Sequence, residues 1–162
     1  MSINADTNKS LIDLVFEKLM LTDVDYTIGL YEDSGRYHEG AYTFRGKQRY
    51  GSGKLVCQVG YDNEFGVPEK NIPPRPFLVP GAEQSFNKAA RQAILAIANG
   101  EGEEIALARA AQVIKQGIQR YITALQTPPN APLTIMLKGS SNPLIDTGKM
   151  RRSITFKREE RK

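Results

Sequence analysis

The sequence predicts an α+β domain: a single antiparallel sheet of about four strands packed against two long helices, with a proline-rich connector. Three observations carry this. Apolar residues alternate with period two in short windows that begin near Val24, Ala41, Leu55 and Ser153. They recur with a helical period in two long windows, after Ala82 and after Glu103. Between strands and helices, Pro68, Pro73, Pro74, Pro76 and Pro80 fall within 13 residues.

The elements follow in order. Over Lys9 to Leu21, Leu11, Val15 and Leu19 recur every four residues, with Ile12, Phe16 and Met20 beside them. That is a broad apolar face on a helix, with Thr7 or Asn8 as its cap. Thr22, Asp23 and Asp25 mark its exit. Val24, Tyr26, Ile28 and Leu30 then alternate with polar or small neighbours, which predicts a half-buried strand. Asp33-Ser34-Gly35 is turn chemistry. Arg36 to Gly53 is polar, with arginines and lysine set among Tyr37, Tyr42, Phe44 and Tyr50. A short strand over Ala41 to Arg45 is expected there, inside a long loop or extended hairpin. Leu55, Cys57, Val59 and Tyr61 alternate again and predict a strand, with Cys57 as a small buried hydrophobe.

The prolines fix φ and remove donors, so Pro68 to Gly81 is expected to be neither helix nor central strand. Ala82 to Asn99 is helical, with Phe86, Ala90, Ile94 and Ile97 on one face and Gly100 at its stop. Glu103 to Gln126 is the longest helix, with Leu107, Ala111, Ile114, Ile118, Tyr121 and Leu125 on one face. Gly117 costs about 1 kcal/mol in a helix interior, so a close approach by another backbone is expected there. Pro128 and Pro129 end the helix. A last strand, Ser153 to Phe156, places Ile154 and Phe156 on one face.

The chain has 162 residues, a length that suits a single domain over 1–162, with 1–22 as the N-terminal helix and 157–162 as a basic tail. Cys57 is the one cysteine and His38 the one histidine. A disulfide within the chain, a four-cysteine zinc site and a multi-histidine metal site are therefore excluded. Gly51-Ser52-Gly53-Lys54 lacks the upstream glycine and the following helix of a phosphate loop. A serine–histidine–carboxylate arrangement would have to use His38, which sits in a polar loop. No cofactor, no metal and no enzymatic activity are expected. No apolar run is long enough to span a bilayer, and Met1 to Asn8 shows no secretory signal.

The net charge is +4, and it is uneven. From Lys149 to Lys162 seven basic residues face two acids, Glu159 and Glu160, so the rest of the chain is nearly neutral. Such an end can meet nucleic acid or an acidic partner.

Two stretches stand out. One is Asn63-Glu64-Phe65-Gly66 followed by Ile72-Pro73-Pro74-Arg75-Pro76-Phe77-Leu78. The other includes Leu133-Thr134-Ile135 and runs from Lys138 through Pro143-Leu144-Ile145-Asp146-Thr147-Gly148-Lys149-Met150-Arg151-Arg152 to Ser153-Ile154. Gly66 can take positive φ and turn the chain out of the sheet. Arg75 is held between prolines with its fork presented on a stiff backbone. Phe77 and Leu78 drop into the core or onto a neighbour. Asp146 and Thr147 can accept from backbone N–H groups ahead of them, capping a short turn over Lys149 to Arg152 beside Gly148.

With the strand Thr27-Ile28-Gly29-Leu30, these stretches resemble the neck, tail-completion and minor-tail (virion morphogenesis) proteins of tailed bacteriophages. The resemblance runs from about Val24 to Phe156. It rests on that family's Asn-Glu-Phe-Gly turn, its Ile-Pro-x-Arg-Pro-Phe-Leu connector and its Pro-Leu-Ile-Asp-Thr-Gly-x-Leu-Arg-x-Ser-Ile signature. Met150 stands where leucine is usual, and Arg36 to Gly53 shows no family pattern.

The resemblance implies a structural virion protein, a subunit of a ring at the head-to-tail junction that completes the tail or joins tail to head. Its implied partners are further copies of itself, in a hexamer first and a dodecamer if nearer the portal. Neighbouring head-completion, tail-terminator or tail-tube proteins are implied too, with genome DNA in the channel and no membrane. The implied location is the virion, after assembly in the bacterial cytoplasm. Glu64, Gly66, Arg75, Phe77, Asp146, Thr147, Gly148, Arg151 and Arg152 are the candidates for interaction or for fold corners. Lys157 to Lys162 is expected to extend from the sheet and dock on an acidic surface of a neighbouring ring. The competing expectation is a nucleic-acid-binding module that uses this basic end.

Overall fold

A computed structural model describes residues 23–139 and 141–161. The helix expected over Lys9 to Leu21 lies outside them, as does Lys162. In chain order the elements are β1 (Val24–Gly29), β2 (Glu39–Phe44), β3 (Lys47–Ser52), α1 (Val56–Phe65), α2 (Leu78–Ala98), α3 (Glu103–Ala124), α4 (Pro132–Lys138), α5 (Lys149–Ser153) and β4 (Thr155–Glu160). Short 3-10 turns lie at Glu32–Ser34 and Pro68–Lys70. The fold is α+β, and its two long helices pack against each other as an antiparallel hairpin.

The strands do not form one sheet of about four. They form two ribbons of two strands, β1 with β4 and β2 with β3, each antiparallel. The reason lies in the hairpin's composition. No residue of β2 or β3 is buried, because both faces of this ribbon are polar or half-exposed. A ribbon with no apolar face gains little by joining the sheet over the core. Its turn is Arg45-Gly46, with φ of 50° and 74°. Two successive positive φ values match the twist of a two-residue hairpin.

The strand expected over Leu55 to Tyr61 is the helix α1. Its buried positions are Val56, Gly60 and Glu64, one every four residues. A Cβ on Gly60 would lie 2.3 Å from the Leu30 side chain, so β1's exit packs directly on this stripe. Tyr61, on the supposed apolar face of a strand, is 61% exposed. Cys57 is half-buried on α1. The last strand also shifts: Ser153 closes α5, and β4 runs from Thr155 to Glu160.

The connector ends earlier than expected, because α2 starts at Leu78 and takes in Pro80 and Gly81. Pro80 is the third helical residue, where an N–H has no partner within the helix, so its missing donor costs nothing. Along the helix hairpin the backbones approach closely. A Cβ on Gly117 would lie 1.6 Å from Ser85 Oγ, and one on Gly81 would lie 2.8 Å from Ile118 Cα. This is the close contact that Gly117 predicts. Nearer the hairpin's tip, Ala93, Ala96 and Ala106 form a small core of their own.

The main core gathers Val56, Phe77, Ile118, Ile122, Leu144, Met150 and Ile154. It joins α1, the connector's end, α3 and the C-terminal segment. No described helix is long and apolar enough to cross a membrane.

Candidate functional site

The first motif builds a corner around the start of α2. Glu64, in the last turn of α1, is buried to 8% exposure. Its Oε2 accepts from the backbone N–H groups of Phe77 at 2.8 Å and Leu78 at 3.1 Å. A carboxylate from one helix thus caps the N-terminus of another, where free N–H groups and the helix dipole favour negative charge. Gly66, at φ 77°, lets the chain leave α1. A Cβ there would lie 2.8 Å from Pro74 N and 2.9 Å from Ile72 O, so glycine is required for space as well as for φ.

Arg75 is buried to 6% exposure. Its Nε donates to Pro128 O at 2.8 Å and its Nη2 to Pro129 O at 2.9 Å. Its own N–H donates to Asn63 O at 2.6 Å. The guanidinium therefore clamps the connector to the segment that leaves α3. Burial lowers its pKa from the usual guanidinium value, and the two carbonyls offset that cost. Phe77 is fully buried in the main core.

The second motif builds a second corner. Gly148, at φ 77°, starts α5. Thr147 Oγ1 accepts from Lys149 N at 3.3 Å, so Thr147 caps the turn as expected. Asp146 does not. Its Oδ1 accepts from Arg49 Nη1 at 3.0 Å and ties the β2–β3 hairpin to this corner. The capping role expected of Asp146 is displaced because an ion pair from a neighbouring element claims the carboxylate. Arg151 Nη1 donates to Thr123 Oγ1 at 3.1 Å, and Arg152 Nη1 donates to Thr147 O at 3.1 Å.

The two motifs meet through the core. Phe77 packs with Leu144, Met150 and Ile154 in one cluster. They do not converge on a cleft of reactive groups. Among the described residues, no three His, Cys, Asp or Glu side chains gather as a metal site. His38 stacks on Tyr42 with ring centroids 4.6 Å apart.

Asn142 plays a part that the sequence reading does not assign. Its Nδ2 donates to Thr123 O at 2.9 Å and Ile122 O at 3.3 Å, at the end of α3. Its Oδ1 accepts from Leu144 N at 3.0 Å and Ile145 N at 2.9 Å. One amide side chain satisfies a helix C-terminus and a turn at once. The Asn142-Pro143 pair is the signal for that turn.

The basic C-terminal end is not a projecting tail. Lys157 to Glu160 belong to β4, paired with Val24 to Thr27. Lys157 Nζ lies 2.6 Å from Asp33, Arg158 Nε 2.6 Å from Glu104, and Arg161 Nη2 2.6 Å from Asp25. The Arg161 guanidinium holds the Asp25 carboxyl below its usual pKa. Three of the seven basic residues counted there are thus matched by acids from β1, the turn after it and α3. Arg151 and Arg152, which belong to the same count, lie on a surface that keeps its basic excess. An open concavity of about 590 Å³ between α3 and α5 is lined by Gln116, Gln119, Arg120, Thr123, Arg151 and Arg152, with no acid among the described lining residues.

Among the exposed apolar side chains, two groups each lie together on one helix. On α4, Leu133, Met136 and Leu137 are 62%, 71% and 66% exposed. Their spacing puts them on one face of the helix. On α1, Tyr61 and Phe65 are also exposed, with ring centroids 4.7 Å apart and the rings tilted by 50°. Val59 and Asn63 lie on the other side of that helix, about 200° around from Tyr61 and Phe65.

Comparison of the chain with protein-family models, with curated proteins and with solved structures finds no match.

Proposed function

We propose that this chain is a structural virion protein, a subunit of a ring at the head-to-tail junction of a tailed bacteriophage that completes the tail or joins tail to head. The observation that carries the reading is the outward apolar face of α4, with Leu133, Met136 and Leu137 presented to solvent. From Pro132 to Leu137 only Ile135 is not exposed, so this short helix presents apolar side chains for another surface to cover. Tyr61 and Phe65 supply a second, chemically different patch. A heterologous contact joins two unlike surfaces, and such contacts close into rings.

The motif residues support the same reading. Glu64, Arg75, Asn142 and Thr147 make their hydrogen bonds within the chain and fix its corners. A frame stapled in this way suits assembly, where shape is the product. The partners are further copies of the chain, six by first choice and twelve if nearer the portal, with head-completion, tail-terminator or tail-tube proteins as neighbours. The test is electron microscopy of phage particles assembled without this chain. Full heads with separate tails are the expected result, and normally joined particles would rule the reading out.

A second reading, nucleic-acid binding, draws its support from the Arg120, Arg151 and Arg152 concavity and no longer from the paired C-terminal end. Duplex DNA binding that weakens steeply with added salt, and that Arg151→Ala with Arg152→Ala abolishes, would favour it.

A further inference from the structure

The hollow between α3 and α5, of about 590 Å³, holds three cations and no acid among the described lining residues: Arg120 on α3, with Arg151 and Arg152 on α5. Arg151 uses one N–H on Thr123 Oγ1 at 3.1 Å, and Arg152 uses one on the Thr147 carbonyl at 3.1 Å. Both acceptors are neutral, so neither offsets the charge. None of the ion pairs among the described residues includes Arg120, Arg151 or Arg152. Arg151 is also held in place, since Gln119 Nε2 donates to its carbonyl at 3.1 Å while Thr123 takes its fork. A fork positioned in this way loses little freedom when an anion arrives.

Carboxylate and phosphate both suit a guanidinium. The rest of the lining separates them. Gln116 and Gln119 bring side-chain amides, whose oxygens only accept. A polypeptide offers N–H donors to those oxygens, whereas a phosphodiester backbone offers acceptors alone. No aromatic ring is among the described lining residues, so bases find nothing to stack on. The chain's own adjacent acids are committed elsewhere. In Glu32-Asp33, Glu103-Glu104 and Glu159-Glu160, one carboxylate of each pair is bound to a cation of this chain: Asp33 to Lys157 and Glu104 to Arg158, both at 2.6 Å, and Glu160 to Arg158 at 3.8 Å.

We propose that the α3–α5 hollow is a docking site for a carboxylate-bearing segment of another protein, with Arg120, Arg151 and Arg152 as its anchors and Gln116 and Gln119 on the segment's backbone. The proposal rests on the ring reading for its setting, in which a head-completion, tail-terminator or tail-tube protein is the neighbour. It adds a charged contact to the apolar one of α4. It also moves to α5 the docking role expected of Lys157 to Lys162, since Lys157, Arg158 and Arg161 are paired within the chain.

The probe is poly-L-glutamate, titrated into the full-length protein, with inorganic polyphosphate and duplex DNA of equal charge beside it. Poly-L-glutamate should bind more tightly than either. Arg151→Gln with Arg152→Gln should weaken its binding by about tenfold or more, the loss expected for charged hydrogen bonds. Lys88→Gln with Arg91→Gln removes the same charge from exposed positions of α2 outside the hollow, and should weaken it by less than about twofold. Because Arg151 also bonds Thr123, Arg120→Gln serves as a second variant, and it should weaken binding with an unchanged thermal melt. Polyphosphate or DNA binding as tightly as poly-L-glutamate would overturn the proposal in favour of a phosphate surface. Equal losses in the two double variants, or no binding of poly-L-glutamate, would overturn it as well. None of these readouts depends on assembly. A protein that stays monomeric yet binds through these arginines would sink the ring and keep the docking site, and a ring that ignores poly-L-glutamate would do the reverse.

Discussion

Of the two uses open to Arg75, a bond within the subunit or one to the next, the fold makes the first. Between prolines its fork is expected to pair with a carboxylate or a carbonyl, in the subunit or on the next one, and it is buried and donates to Pro128 O and Pro129 O. Arg75→Ala leaves both carbonyls without their charged donor and should lower the unfolding free energy by about 2–3 kcal/mol. Arg75→Lys should recover less than half, because an ammonium cannot reach both carbonyls as a planar fork does. Urea melts measure both, and an Ala variant as stable as the parent would mean that water replaces the clamp. Tyr37 gives a test in pH. Burial pushes its hydroxyl up to about 12, against a backbone hydrogen bond from Met150 that works the other way. Below pH 10 both folded and unfolded chains hold this proton. Between pH 10 and about 12 the unfolded chain releases it first, so stability falls as pH rises through this window. Tyr37→Phe should make the urea midpoint fall less steeply there, and an unchanged slope would remove Tyr37 from the account.

At the scale of elements, the helix hairpin depends on a contact that glycine alone permits. Gly117→Ala would drive a Cβ to 1.6 Å from Ser85 Oγ, and the expected loss is about 1–3 kcal/mol as the helices part. A thermal melt equal to the parent's would show that the two helices pass farther apart than described. This contact was legible in advance because a glycine inside a strongly periodic helix is costly unless something approaches it. The long helices were legible for the same reason: sustained periodicity leaves few alternatives. Residues 55–61 were not, because Leu55, Cys57, Val59 and Tyr61 happen to alternate. The helix buries Val56, Gly60 and Glu64, and neither a glycine nor a glutamate registers as apolar. The same glutamate explains the early start of α2, since its cap arrives from another element and leaves no local sequence signal. The single sheet failed on pairing. Period two marks a strand but says nothing of its neighbour, and the polar faces of β2 and β3 decided that they pair with each other alone. Of the candidate residues, Gly66, Thr147 and Gly148 were readable as corners from local turn chemistry, whereas the Arg49 partner of Asp146 is remote in sequence.

For the whole molecule, the C-terminal strand and the outward helix make opposite predictions. Removing residues 157–162 deletes the register partners of Val24 to Thr27, along with the Lys157 and Arg161 ion pairs. The truncated chain should therefore melt at a clearly lower temperature, and an unchanged melt would show that the β1–β4 ribbon contributes little. Leu133→Asp with Met136→Asp acts on side chains that are already exposed, so the fold should change by no more than about 0.5 kcal/mol per site. Its effect should fall on assembly. The most direct measurement is the mass of the purified full-length protein under native conditions, with the double aspartate variant beside it. The parent should form a closed oligomer of six copies, or twelve if it sits nearer the portal, and the variant should be a folded monomer. A parent that stays monomeric at every concentration, or a variant that assembles as well as the parent, would contradict the assignment of α4 as a ring contact.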